Sequence, residues 1–283
     1  MAMKPLRNKH LQQSIHLSDV NISSATLKTD TIMSLREFGP RADNEYDIDV
    51  RAAAAMCQYA YHALNQGKKP KAELIDGWSP MTFSEVDKLM GSGFHLKLKR
   101  DASGFNSMLF QKQADGIQYY AYCTEGTEMS SVKDWFSNIS QGLIGLSPQY
   151  TYSVQMAKQI DSTIGNKAVL WFIGHSLGGG LASNNSLVTR RHAITFNAAG
   201  LNPYREKATL LLNNRSDLFH YQRRTERIHA FVLEGEILNS TLSWIGQPAY
   251  GNRKTIPFDQ KDKNTVQRHA LTTILDKWGM QHD

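Results

Sequence analysis

AVLWFIGHSLGGGLAS, residues 168–183, is the stretch from which the fold is read. Its first six residues, Ala168–Ile173, form an uninterrupted apolar run with the length and composition of a strand buried on both faces. The run passes straight into Gly174-His175-Ser176-Leu177-Gly178-Gly179-Gly180, which contains the pattern G-x-S-x-G, and small residues continue to Ser183 as the start of a helix. A serine that attacks from a tight strand-to-helix turn carries a strained backbone. Glycines two before and two after it remove the Cβ atoms that would collide where strand and helix pack. The same turn sets Ser176 at the helix N-terminus, where Leu177 N–H and the helix dipole face a developing oxyanion. A bare G-x-S-x-G arises by chance in about one in nine chains of this composition. The preceding strand and the following helix therefore carry the argument, and they make Ser176 the candidate nucleophile.

Working outward, Val50, Ala53, Ala54, Cys57, Ala60, Tyr61 and Leu64 recur at helical spacing, with Gly67 and Pro70 beyond as the stop. Asn106–Gln111 and Ile117–Cys123 read as the arms of a hairpin turned at Asp115-Gly116. The stretch Pro148–Ile164 predicts a helix with Ser147 as N-cap and Pro148 in the first helical position, ending before Gly165-Asn166. His192–Phe196 and Arg227–Leu233 read as further strands, the second closed by the turn Glu234-Gly235-Glu236. This alternation predicts an α/β domain, a mainly parallel sheet covered by helices on both faces. Residues 1–45 are polar and mixed in charge without sustained periodicity, and read as an N-terminal extension to a single domain over 46–283.

A serine needs a base and the base an orienting acid. On a sheet of this kind the three follow in the order serine, acid, histidine. With the acid after the strand Arg227–Leu233, the available bases are His269 and His282. His282 stands next to the C-terminus, whereas His269 precedes the apolar Leu271, Ile274 and Leu275 of a terminal helix. Glu236 is the favoured acid, because turn residues after a strand reach the open edge where ligands bind. Glu234 is read as an ion-pair partner, and Asp217, Asp259 and Asp262 also have the required order.

Composition excludes several other classes. Two cysteines, Cys57 and Cys123, cannot build a disulfide framework, and neither belongs to a CxxC pair. No apolar run approaches the roughly 18–20 residues that span a bilayer. The first twenty residues carry early positive charge but no apolar h-region, so a cleaved signal peptide is not expected. The net charge is +6, from 32 basic and 26 acidic residues. That balance favours anionic surfaces, but no zinc-finger spacing, RNP-type motif or lysine run points to nucleic acid. GQPAYGNRKT, residues 246–255, has glycines and a lysine but not the spacing of a phosphate loop.

With these residues in place, the chain resembles the class 3 lipases, a branch of the α/β-hydrolase fold. GHSLGGGLAS resembles the family's nucleophile elbow. Tyr122-Cys123-Thr124-Glu125-Gly126-Thr127, followed by Asp134-Trp135, resembles its R-G-T strand end and tryptophan-bearing segment, with Glu125 in place of the arginine. Ala193–Gly200 resembles the strand after the nucleophile helix. The resemblance implies a triad of Ser176, Glu236 and His269, with Thr127 as a second oxyanion donor beside Leu177. The family's usual aspartate is a glutamate here, one methylene longer. The polar extension and basic chain are most similar to bacterial phospholipase A1 enzymes that leave the cell by a leaderless route. This implies ester cleavage in glycerophospholipids with no cofactor and no metal. The implied partners are a phospholipid surface and a small accessory or immunity protein. The same elbow serves triacylglycerol lipases, thioesterases and acyltransferases, and a lipase-like scaffold without catalysis keeps the same fold. Met129–Leu146, with Val132, Trp135 and Phe136, reads as an amphipathic flap over the site. Arg223, Arg224, Arg253 and Lys254 are candidate contacts to anionic lipid.

Overall fold

A computed structural model describes residues 48–65, 74–100, 104–125, 148–201, 225–240, 248–259 and 263–280. The extension read over 1–45 lies outside them, as do Thr127, the segment 129–146 with Val132, Trp135 and Phe136, Arg223 and Arg224.

The strands are β1 (Ser79–Pro80), β2 (Lys99–Arg100), β3 (Phe105–Ala114), β4 (Ile117–Glu125), β5 (Val169–His175), β6 (His192–Phe196), β7 (Ile228–Leu233) and β8 (Asn252–Ile256). They form one eight-stranded sheet in the order β1-β3-β4-β5-β6-β7-β8, with β2 also paired to β3. The β3–β4 pair is antiparallel and closed by Asp115-Gly116, both at positive φ, as a two-residue hairpin turn requires. From β4 to β8 every pairing is parallel, so the carboxyl ends of five neighbouring strands lie along one edge.

The helices are α1 (Val50–Asn65), α2 (Phe83–Met90), α3 (Pro148–Ile164), α4 (Leu177–Thr189), α5 (Thr265–His269) and α6 (Leu271–Lys277). Because side chains alternate along a strand, β5 sends Trp171 and Ile173 to one face and Leu170 and Phe172 to the other. The first face packs against Ala53, Met56 and Cys57 of α1 and Ile274 of α6. The second packs against Ala157 and Ile160 of α3 and Leu181 of α4. The expected α/β arrangement with helices on both faces is thus present, as a mixed sheet.

Three elements differ from expectation. The motif Thr82-Phe83-Ser84-Glu85 opens α2 with a reciprocal capping box that hydrophobic spacing does not reveal. The stretch compared with a phosphate loop contains β8, whose residues Asn252-Arg253-Lys254-Thr255 are too polar to read as a strand because it stands at the sheet edge. The terminal helix is broken at Ala270, which takes an extended conformation, so His269 ends α5 instead of opening one long helix.

Candidate active site

Ser176 occupies the turn between β5 and α4 with φ +58 and ψ −125, a conformation that costs free energy for a residue with a side chain. The surrounding backbone compensates. Ser176 N–H donates to Phe196 O at 3.0 Å, and Ser176 O accepts from Ala199 N–H at 2.9 Å. A Cβ on Gly174 would collide with Gly178 O, and one on Gly178 with Thr124 O, so both glycines of the pattern are demanded by close approach. Thr124 Oγ1 donates to Gly178 O at 2.8 Å and ties the end of β4 to the first turn of α4.

Glu236 follows β7 through Gly235, which has φ +72 and whose missing Cβ leaves space for the Arg268 guanidinium. Its carboxylate is fully buried but not isolated. Oε1 accepts from Asn239 N–H and from Asn239 Nδ2, each at 2.6 Å. Oε2 accepts from Leu238 N–H at 3.0 Å and from His269 Nδ1–H at 2.7 Å. A buried carboxylate is tolerable when its lone pairs are met by donors in this way.

His269 stands at the carboxyl end of α5, whose start is held by Asn264, an N-cap accepting from Val266 and Gln267 N–H. Its imidazole is 12% exposed. With Nδ1–H given to Glu236, the unprotonated Nε2 faces Ser176 Oγ at 2.9 Å. The result is a continuous chain from carboxylate to imidazole to hydroxyl, with the imidazole tautomer fixed by its acidic partner.

The structure thus brings together Ser176, Glu236 and His269, and places Leu177 as the first residue of α4. It does not bring the other carboxylates to the imidazole. Asp259 is exposed and pairs with Lys277 at 3.7 Å. Glu234, expected in an ion pair, instead accepts Phe258 N–H at 3.2 Å and so secures the chain after β8. Asp217, Asp262 and His282 lie outside the described residues. Glu125, where the lipase pattern has arginine, is buried at the end of β4 opposite Asn106. Arg253 is exposed and Lys254 half-buried on β8. Among the described residues, no group of three or more His, Cys, Asp and Glu side chains converges as a metal site would require.

Sequence reasoning missed three polar residues at the site. His175, the first x of G-x-S-x-G, donates Nε2–H to His269 O at 2.8 Å. Its pKa is pushed down to about 3 by burial and by the neighbouring His269, so it stays a neutral donor. Asn197, at the end of β6, donates to the carbonyls of Arg268 and His269. Asn239 holds the acid. Position was the one signal for two of them: His175 lies within the catalytic pattern and Asn197 directly follows β6, whereas Asn239, beyond the turn after β7, carried none.

The residues on this edge define a site in which a hydroxyl, an imidazole and a carboxylate are aligned on an α/β sheet. The sequence profile of the Tle-like phospholipase domain matches residues 52–245, more than half of the chain and including Ser176 and Glu236. The chain belongs to this phospholipase-like family. It is also similar to an extracellular phospholipase A1 of Serratia liquefaciens, at 36% identity over 117 residues. That match covers 41% of this chain and 34% of the Serratia enzyme, so the chain spans about a third of the length of this relative.

Proposed function

We propose that this protein is a serine phospholipase A1 with an α/β-hydrolase fold, releasing a fatty acid from glycerophospholipids through an acyl-enzyme on Ser176. The observation that carries this reading is the alignment Glu236–His269–Ser176, with contacts of 2.7 and 2.9 Å at the carboxyl edge of the sheet. Family membership and the Serratia relative supply the substrate class.

In this mechanism His269 Nε2 takes the Ser176 proton as Oγ attacks the ester carbonyl. Glu236 stabilises the imidazolium through Nδ1–H and keeps the ring in register. The tetrahedral oxyanion is met by Leu177 N–H, one of the first N–H groups of α4, which have no intrahelical acceptor. Thr127 is proposed as a second donor. Each such donor contributes roughly 3–4 kcal/mol of transition-state stabilisation. His269 then returns the proton to the leaving lysolipid oxygen, and water activated by the same imidazole releases the fatty acid. The phospholipid surface is the proposed partner, with Val132, Trp135 and Phe136 in a flap over the acyl groove and Arg253 and Lys254 toward anionic head groups. The relative's description as extracellular supports export of this chain.

The test uses vesicles of phosphatidylglycerol or phosphatidylethanolamine with different acyl chains at the two positions. They are incubated with wild type or Ser176→Ala and analysed by mass spectrometry. Serine-dependent release of the first-position acid is the expected result. Cleavage of a soluble ester with the phospholipid left intact would keep the hydrolase and overturn the substrate class. Resistance of the wild type to both would overturn the catalytic reading.

A further inference from the structure

We propose that Asn197 is the positioning residue of this site, a single buried amide that ties the base-bearing end of α5 to the strand leading to the acid, its chain neighbours holding the nucleophile turn. The inference rests on the triad reading above and deepens it. β6 lies between β5 and β7 in the sheet, so the residue at its carboxyl end stands between the turn bearing Ser176 and the turn bearing Glu236. Asn197 is that residue, with no exposed surface and φ +41, a left-handed backbone that asparagine accepts more readily than most side chains.

Its N–H and Oδ1 are committed to β7 and its Nδ2 to the end of α5. Its own N–H donates to Phe231 O at 2.9 Å. Side-chain Oδ1 accepts Leu233 N–H at 2.8 Å, fixing the last residue of β7 three positions before Glu236. The two hydrogens of Nδ2 go to Arg268 O at 3.1 Å and His269 O at 3.0 Å. Those carbonyls end α5, where a helix has no amide left to meet them. On either side of Asn197 in the chain, Phe196 O and Ala199 N–H are the groups that hold the Ser176 backbone. His175 Nε2–H adds a second donor to His269 O. The task needs an amide: aspartate would accept Leu233 N–H but face two carbonyls with no hydrogen, and an apolar residue would leave Leu233 N–H and Arg268 O unsatisfied and His269 O with His175 alone.

The experiment compares wild type, Asn197→Asp, Asn197→Ala and His175→Phe. Readouts are kcat and KM on a soluble p-nitrophenyl ester across pH, with active sites counted by a fluorophosphonate, plus Tm and the downfield Nδ1–H proton of His269 by NMR. Asn197→Asp is expected to lower kcat per titrated site about 100-fold with little change in KM, since a misplacement of about 1 Å costs this much. Its added negative charge favours the imidazolium and moves the acid limb of kcat to higher pH. The Nδ1–H resonance shifts or broadens. A role in packing alone would lower Tm and the number of titratable sites while leaving kcat per site, the acid limb and the proton resonance unchanged. That result overturns the proposal. Should both Asn197 variants fail to fold, His175→Phe, which keeps a ring and removes one donor to His269 O, carries the test. It is expected to lose no more than about fivefold in kcat, the equivalent of one hydrogen bond, because Asn197 still holds His269 O; a loss as large as about 100-fold would make His175 the holder of that carbonyl and overturn the proposal. If the wild type cleaves no ester and takes no fluorophosphonate, the triad reading fails. The proton resonance of the folded variants still decides whether Asn197 places His269.

Discussion

At the residue scale, chemistry is specified by which groups lack an alternative. The Glu236 carboxylate meets three N–H donors from its own turn besides His269, so its orientation does not depend on the imidazole. In Glu236→Gln the amide must present hydrogens to groups that themselves donate, and the wrong imidazole tautomer becomes favoured. The expected outcome is a kcat loss of about 10⁴-fold and a stability loss of about 1–3 kcal/mol, read from steady-state kinetics and urea unfolding. Glu236→Asp keeps the charge but ends one methylene short of the ring, so it should retain more activity than glutamine. Equal losses in the two variants would mean that charge and tautomer are not what the carboxylate supplies. Ser176, Glu236 and His269 were legible in the sequence because a pattern, a chain order and a turn each constrain a side chain. His175 and Asn197 were not, because their partners are backbone carbonyls from 71 to 94 positions away, and carbonyls leave no mark on sequence.

At the element scale, the short helix α5 is the least self-sufficient part of the site. Its five residues are too few to persist by propensity, so its cap and its terminal carbonyls must hold it. Asn264→Ala removes the acceptor for Val266 and Gln267 N–H, for an expected stability loss of about 1 kcal/mol. Because His269 ends this helix, the same change should reduce kcat severalfold; an unchanged kcat would show that the carbonyl contacts alone hold the base. The long elements announced themselves. Proline at 148 and Gly165 bracket α3, and the apolar runs at 169–173 and 192–196 are strands because both sheet faces are covered. β1, β2 and β8 did not, since two-residue and edge strands are stabilised by pairing with a neighbour and need no apolar pattern of their own.

At the scale of the whole molecule, titration and burial act far from the catalytic edge. His192 opens β6 at the opposite end of the sheet, its ring parallel to that of His229 at 5.8 Å. His192 is exposed at the start of β6, yet its pKa is lowered to about 4 by the water its ring loses against its neighbours and by His229, Arg227 and Arg191, an effect that solvent screening keeps small in stability. A histidine with a lowered folded-state pKa binds its proton more readily in the unfolded chain. Stability is therefore lost as pH falls through 6.5 toward about 4. Tm should drop across that window, and His192→Asn should flatten the drop; parallel curves would remove His192 from the account. Cys57 on α1 and Cys123 on β4 are buried with their sulfurs 3.9 Å apart. Cys123 is held well above the ordinary thiol range by its contact with Cys57 and by burial. Neither should alkylate in the native protein, and both should do so on the timescale of global opening, a direct mass-spectrometric measure of it.

The order of the site along the chain has a consequence in time. Nucleophile and acid leave the ribosome in the turns that follow β5 and β7, whereas the base arrives on α5, after β8 has closed the sheet edge. Until that segment docks against Asn197 and His175, the proposed nucleophile lacks its proposed base. In the proposed phospholipase, chains not yet extended through residue 269 carry the nucleophile and the acid without the base that links them.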